Sequence, residues 1–311
     1  MTFGRIYVAG CGGMLGQAVF DHLSTRADVV ASDLVPRTDW LEQVDVGSHD
    51  VFSKHVKASE PDLLVNLAAE TDLEFCEANP DRAWRTNALG AENGALIAES
   101  LGVPYVFIST AGIFDGAQDF YNDYDAPNPL TIYAKSKLHG ERFVQTFLKR
   151  HFVLRAGWMM GGGPDLDKKF VNKIYRQIAA GEDEIFAVTD KLGTPTYTVD
   201  FANGLLRVAE SELYGTYNQV CGGSGSRFDV AREFVRQLGL SESVKVTPVE
   251  SSFFAEEYFA ERPQSEQLVN HKLNARGLNV MRDWPEALAD YAAVFRADLA
   301  ARSESAGKTS Q

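Results

Sequence analysis

The chain predicts an α/β fold: a doubly wound parallel sheet of Rossmann type, with a smaller C-terminal substrate-binding domain. Three observations carry this. A glycine-rich turn joins an apolar run to a helical run at the very start. Buried apolar runs then alternate with helical stretches as far as Ala156. The alternation breaks down after Gly161-Gly162-Gly163-Pro164.

Taken in order, Arg5 to Ala9 reads as a buried strand, and Gly10-Cys11-Gly12-Gly13-Met14-Leu15-Gly16 as the turn into a helix that ends near Leu23. Glycines at such a turn let a pyrophosphate approach the backbone, and the first helical N–H groups face it. Asp28 to Asp33 is the second strand. Asp33 lies close to the ~20-residue offset at which a carboxylate meets an adenosine ribose, which favours NADH, while Arg37 offers a partner for a 2′-phosphate. Val44-Asp45-Val46-Gly47 suggests a third strand, Asp50 to Ser59 a helix, and Asp62 to Ala69 a fourth strand ending in small residues. Asn79-Pro80 opens a long helix through Leu101, followed by a strand at Tyr105 to Thr110. A polar loop from Asp115 to Leu130 leads into a helix beginning near Tyr133, and His151 to Ala156 is the sixth strand. The domains are therefore 1–160, binding a dinucleotide, and 161–302, binding substrate with some segments packed back on the sheet. The tail 303–311 is expected to be disordered.

A net charge of −13 without a basic stripe argues against nucleic acid or anionic membrane partners. Three widely spaced cysteines, Cys11, Cys76 and Cys221, fit a reducing compartment without a disulfide framework. With no signal segment or membrane-length apolar run, the expectation is cytoplasmic. Cys11 reads as a small residue in a tight turn before it reads as a nucleophile. No cluster has metal-ligand spacing, so no metal-binding residues are named and a metal requirement is left open.

Tyr133 and Lys137 stand four apart and share a helix face, and Thr110 ends a strand that this architecture sets opposite them. Together they make a proton-delivery device. The phenol gives a proton to a carbonyl oxygen, the ammonium draws the phenol pKa down from ~10, and the threonine hydroxyl holds the oxygen. A Tyr-x-x-x-Lys pair by itself is an ordinary amphipathic helix; its order after a nucleotide turn, four strands and a strand-end hydroxyl gives it meaning.

These residues resemble the extended short-chain dehydrogenases/reductases, and among them the dTDP-4-dehydrorhamnose reductase family. The resemblance runs along nearly the whole chain: the Gly-x-x-Gly-x-x-Gly turn, Asn66 to Thr71 with Glu77, Tyr133 to Glu141, Arg155 to Trp158, Gly193 to Thr196, Arg262-Pro263, and Asp283 to Leu288. It implies Thr110, Tyr133 and Lys137 as the catalytic three. It implies a cofactor, NADPH or NADH, among Gly10, Gly13, Met14, Leu15, Asp33, Asp45, Leu67, Ala68, Ala69, Tyr133 and Lys137. Trp158 would meet the sugar, although a core aromatic is an equal reading, and Arg262 the phosphates. Lys168 and Lys169 read as a solvated face.

The implied activity is NAD(P)H-dependent reduction of a nucleotide-linked 4-keto-6-deoxy sugar, with a homodimer as one assembly it allows. Two other readings stand beside it: a sugar-nucleotide epimerase or dehydratase, and a non-catalytic regulatory subunit like that of methionine adenosyltransferase. One departure bears on substrate. The family reads Ser-Thr-Asp-Tyr-Val-Phe where this chain has Ser109-Thr110-Ala111-Gly112-Ile113-Phe114, so the acid and phenol facing the sugar are missing.

Overall fold

Residues 2–302 are described in full, and the backbone of 303–309 with them, in a computed structural model. The tail expected to be disordered, 303–311, lies outside the fully described residues. The first half runs β1 (Arg5–Ala9), α1 (Met14–Leu23), β2 (Asp28–Asp33), β3 (Leu41–Gln43), α2 (His49–Ser59), β4 (Leu63–Asn66), α3 (Leu73–Ala78), α4 (Pro80–Ala83), α5 (Gly90–Leu101), β5 (Tyr105–Thr110), α6 (Ile132–Phe147) and β6 (His151–Ala156). The second half begins with β7 (Trp158–Met160), α7 (Gly163–Leu166), α8 (Phe170–Ala179), β8 (Glu184–Val188), β9 (Leu192–Gly193), β10 (Pro195–Tyr197) and α9 (Thr198–Glu210). It continues with β11 (Gly215–Asn218), β12 (Gly225–Ser226), α10 (Arg227–Gln237), β13 (Lys245–Val249), β14 (Ser265–Glu266), α11 (His271–Ala275) and α12 (Trp284–Thr309).

In space the main sheet is ordered β11, β6, β5, β4, β1, β2, β3, every pair parallel. The winding reverses between β1 and β4, and the carboxyl ends of strands at such a reversal leave a crevice for a ligand. Side chains alternate faces along each strand. Ile6, Val8, Leu63, Val65, Val106 and Leu154 join Val19 of α1, Phe201 of α9 and Leu288 of α12 in one core. Tyr7, Leu64, Tyr105, Phe107 and Val153 turn the other way, onto Phe52 of α2, Ala95 of α5 and Val144 of α6. Burial on both faces explains the continuous apolar runs. Among the described residues no helix is long and apolar enough to cross a membrane.

Three local expectations are corrected. The third strand lies at Leu41–Gln43, paired with Ala31–Asp33, and not at 44–47. Val44 and Val46 are buried in a turn closed by Asp45, whose Oδ1 accepts from Gly47 N at 2.8 Å, so their alternation reported burial and not pairing. The fourth strand stops at Asn66: its Oδ1 accepts from Ala68 N (3.0 Å) while Nδ2 donates to Tyr105 Oη (3.0 Å), and the chain leaves the sheet. The long helix is interrupted by a π-helical segment, Trp84–Leu89, between α4 and α5. Wide turns of this kind re-aim side chains, often beside functional sites; here the segment carries Asn87.

The second half supplies more than a cover. Its strand β11 pairs with β6 and completes the main sheet. The remaining strands form small sheets: β7 with β10, β8 with β13, and β12-β9-β14. The last of these stands beside the end of β5 and bears on the site.

Candidate active site

The glycine turn is shaped by close approach. Gly10 has φ 76°, and a Cβ there would lie 2.3 Å from Ala68 N, so the turn after β1 and the loop after β4 touch backbone to backbone. A Cβ on Gly16 would lie 2.2 Å from the Cys11 carbonyl oxygen, which seats α1 directly on the turn. Gly13 begins α1 without a side-chain cap, and no acid occupies the first turn, so the amides of Met14 and Leu15 have no competing anion on their own helix. Asp33 braces the turn: its Oδ2 accepts from Gly12 N at 2.9 Å and its Oδ1 from Val35 N at 3.0 Å. Arg37 is exposed nearby in sequence. Asp45 is tied to Gly47 N and to Arg85 Nη2 at 2.7 Å. Leu67, Ala68 and Ala69 form the opposite lip, with Leu67 N bonded to the Ala9 carbonyl at 2.8 Å. A cradle of backbone N–H groups, small residues and a carboxylate fits a dinucleotide. Cys11 is buried, its thiol directed to the Gly16 carbonyl, and burial pushes it up to about 12, so no thiolate is available for nucleophilic work.

Two caps fix the start of α6. The Thr131 hydroxyl accepts from Ala134 N, and Glu77 Oε1, from α3, accepts from Ile132 N at 2.7 Å. One turn on, Tyr133 and Lys137 face the end of β5, where Thr110 Oγ1 accepts from Gly112 N at 3.1 Å. Lys137 is 3% exposed, its Nζ 4.2 Å from the centre of the Phe107 ring. Burial pulls this ammonium down to about 7, opposed by Glu141. Burial also pushes the Tyr133 phenol up to about 12; the Thr110 hydroxyl opposes it, whereas Cys76 and Glu266 add to it. The expected lowering of the phenol by Lys137 is therefore reversed. Desolvation outweighs the neighbouring hydroxyl, and the group is held as a phenol with a proton to give.

A frame holds these groups. Arg155, 4% exposed, grips Glu141, 1% exposed, through Nη2 at 2.6 Å, and Ser109 Oγ donates to the other carboxylate oxygen at 2.6 Å. This pins α6 across β5 and β6. On the far side, Asn87 accepts from Glu70 N (2.8 Å) and donates to Ser136 Oγ (3.0 Å), joining the π-helical segment to the loop after β4 and to α6.

Beyond Thr110 the wall comes from remote parts of the chain. Trp158 is partly exposed; its Nε1 donates to Glu266 Oε2 at 2.8 Å, and the Arg227 guanidinium lies 3.6 Å above its ring. Arg227 also faces Phe170 at 5.0 Å and makes no hydrogen bond or ion pair among the described residues. Burial pulls it down to about 10, with Glu266 opposing. Arg262 is already engaged by Glu74, at 2.7 Å. Lys168 is exposed, as a solvated residue would be, but Lys169 reaches Thr71 O and Oγ1 at 3.0 Å each and does not belong to a solvated face. No motif in the sequence marks Glu266 as part of this wall, and Arg227 enters it only through the fold.

The arrangement defines a nucleotide-dependent oxidoreductase of the extended short-chain type. Residues 4–297 match the RmlD substrate binding domain family, and the chain belongs to that family. It is 32% identical over 290 residues to the dTDP-4-dehydrorhamnose reductase of Mycolicibacterium smegmatis, covering 92% of this chain and 84% of that one. Among solved structures it resembles a dTDP-4-dehydrorhamnose reductase from Clostridium acetobutylicum, with TM-score 0.85, 32% identity, and 94% and 99% of the two chains covered. It also resembles the Bacillus anthracis dTDP-4-dehydrorhamnose reductase in complex with NADP, with TM-score 0.84, 28% identity, and 93% and 98% covered.

Proposed function

We propose that this protein is an NADPH-dependent reductase of a dTDP-linked 4-keto-6-deoxy sugar. The observation that carries the reading is the juxtaposition of the Tyr133 phenol and the Lys137 ammonium on α6 with the Thr110 hydroxyl at the carboxyl end of β5. The family relatives support the substrate class and the cofactor.

The first-turn amides of α1, with Gly10 and Gly13, would take the pyrophosphate; Asp33, Asp45 and Leu67 to Ala69 would line the adenosine and nicotinamide ends. When bound, the nicotinamide supplies the hydride that reduces the carbonyl carbon. Thr110 positions the carbonyl oxygen, and Tyr133 Oη gives it a proton. Lys137, once protonated, steadies the phenolate left behind until a proton returns from solvent. Trp158 walls the sugar, and Arg227, whose donors have no protein partner among the described residues, takes the diphosphate with Arg262 at its edge. The buried, unpaired thiols of Cys11, Cys76 and Cys221 accord with a cytoplasmic location.

Following NADPH oxidation with the 4-keto sugar nucleotide tests this. Tyr133→Phe should lower turnover by about 10²–10⁴ with cofactor affinity little changed. Intact turnover in that variant would remove the phenol from the mechanism. A wild type that binds cofactor tightly yet turns over no sugar nucleotide would favour the non-catalytic nucleotide-binding reading.

A further inference from the structure

The segment after Thr110 offers the site no polar side chain, since Ala111 and Gly112 follow. A carboxylate nevertheless stands there. Glu266 lies on β14, whose pairing with β9 sets it beside Gly193. A Cβ on Gly193 would lie 2.2 Å from Trp158 Cε2, so the indole fills the place of a side chain at 193 and meets Glu266 from there. The Trp158 Nε1–H takes one carboxylate oxygen, Oε2, at 2.8 Å. The other, Oε1, has no hydrogen-bond partner among the described residues and lies 3.4 Å from where a Cβ on Gly112 would stand. Gly112 brings no side chain up to this oxygen, whose unbonded face stands beside Thr110.

We propose that Glu266 determines sugar specificity: its Oε1 accepts a hydrogen bond from a ring hydroxyl of the substrate, in the space left beside Gly112. The proposal rests on the reductase reading. Geometry supports a role beyond holding Trp158, because that bond occupies a single oxygen. The charge of Glu266 is also felt at both the Tyr133 phenol and the Arg227 guanidinium, which places it between the reacting end and the cationic end of the wall. A hydroxyl donating to a carboxylate suits such a position, and charged hydrogen bonds are the stronger kind.

Calorimetry on the NADPH-loaded protein distinguishes the outcomes, with dTDP, a dTDP-linked 6-deoxyhexose, and its 2- and 3-deoxy analogues as probes. Wild type should bind one deoxy analogue about tenfold more weakly than the full sugar. Glu266→Ala should bind the full sugar about tenfold more weakly than wild type, lose the discrimination between sugars, and bind dTDP as before. Glu266→Gln, which keeps the shape and one acceptor, should fall between. Equal weakening of dTDP and every sugar in both variants would leave Glu266 only a support for Trp158 and overturn the proposal, as would unchanged discrimination. If wild-type protein binds none of the sugar nucleotides, the reductase reading itself fails and the proposal falls with it. A circular dichroism melt separates loss of folding from loss of binding.

Discussion

The two ends of the proposed site are built from different materials. The dinucleotide end is mostly backbone: glycines, first-turn amides and carbonyls that approach so closely that a single Cβ would collide. The end proposed for the sugar is mostly side chains, with Trp158, Arg227 and Glu266 contributed by β7, α10 and β14. A backbone cradle has one geometry and no substitute for it. A side-chain wall needs a charge at a place and accepts it from any element that reaches there, which is how a carboxylate from β14 comes to stand beside Gly112.

The largest effect should come from the frame that both ends share. Arg155→Met leaves the Glu141 carboxylate buried without its cation, a change worth about 3–5 kcal/mol. Urea unfolding should show that loss, and a loss below about 1 kcal/mol would mean that α6 is held by packing alone. The dinucleotide end comes next. Gly16→Ala forces a methyl against the Cys11 carbonyl and should cost about 1–3 kcal/mol of stability while weakening cofactor binding. The contrast between the two ends fails if dTDP binding suffers as much as NADPH binding.

Lys137 tests the chemistry between the ends. Its ammonium is pulled from 10.5 to about 7 by burial, so between those values the unfolded chain holds a proton that the folded chain lacks. Stability should therefore rise with pH across that window. Lys137→Met should flatten the rise, as read from urea midpoints; parallel curves for both proteins would show that the ammonium is not desolvated. The smallest effect belongs to the exposed Arg37. Arg37→Ala should weaken NADPH relative to NADH by about fivefold at most, a surface-pair effect. An unchanged ratio would leave cofactor choice to Asp33 and the turn.

The same contrast governs what could be read from residues alone. The glycine turn, Asp33 and the Tyr133–Lys137 pair are local spacings, and spacing survives in a linear chain. The caps on α6 were half legible: Thr131 precedes the helix, but Glu77 reaches it from another element. Arg227 had a usable signal, since Ser226 and Asp229 form a capping box that makes it the first residue of a helix. Glu266 had none; only the pairing of two short strands brings it to Thr110. The direction of the Tyr133 shift was missed because desolvation depends on the whole surroundings, which no four-residue interval reports.

The pairing of β11 with β6 bears on how the protein must be made. Until residue 218 has emerged from the ribosome, His151–Ala156 is the bare border of a nearly finished parallel sheet, rich in Phe152, Val153 and Leu154. Unpaired borders of that kind recruit other chains. A chain ended at 160, short of β11, should therefore self-associate, because the strand that covers this border lies more than fifty residues further along the chain.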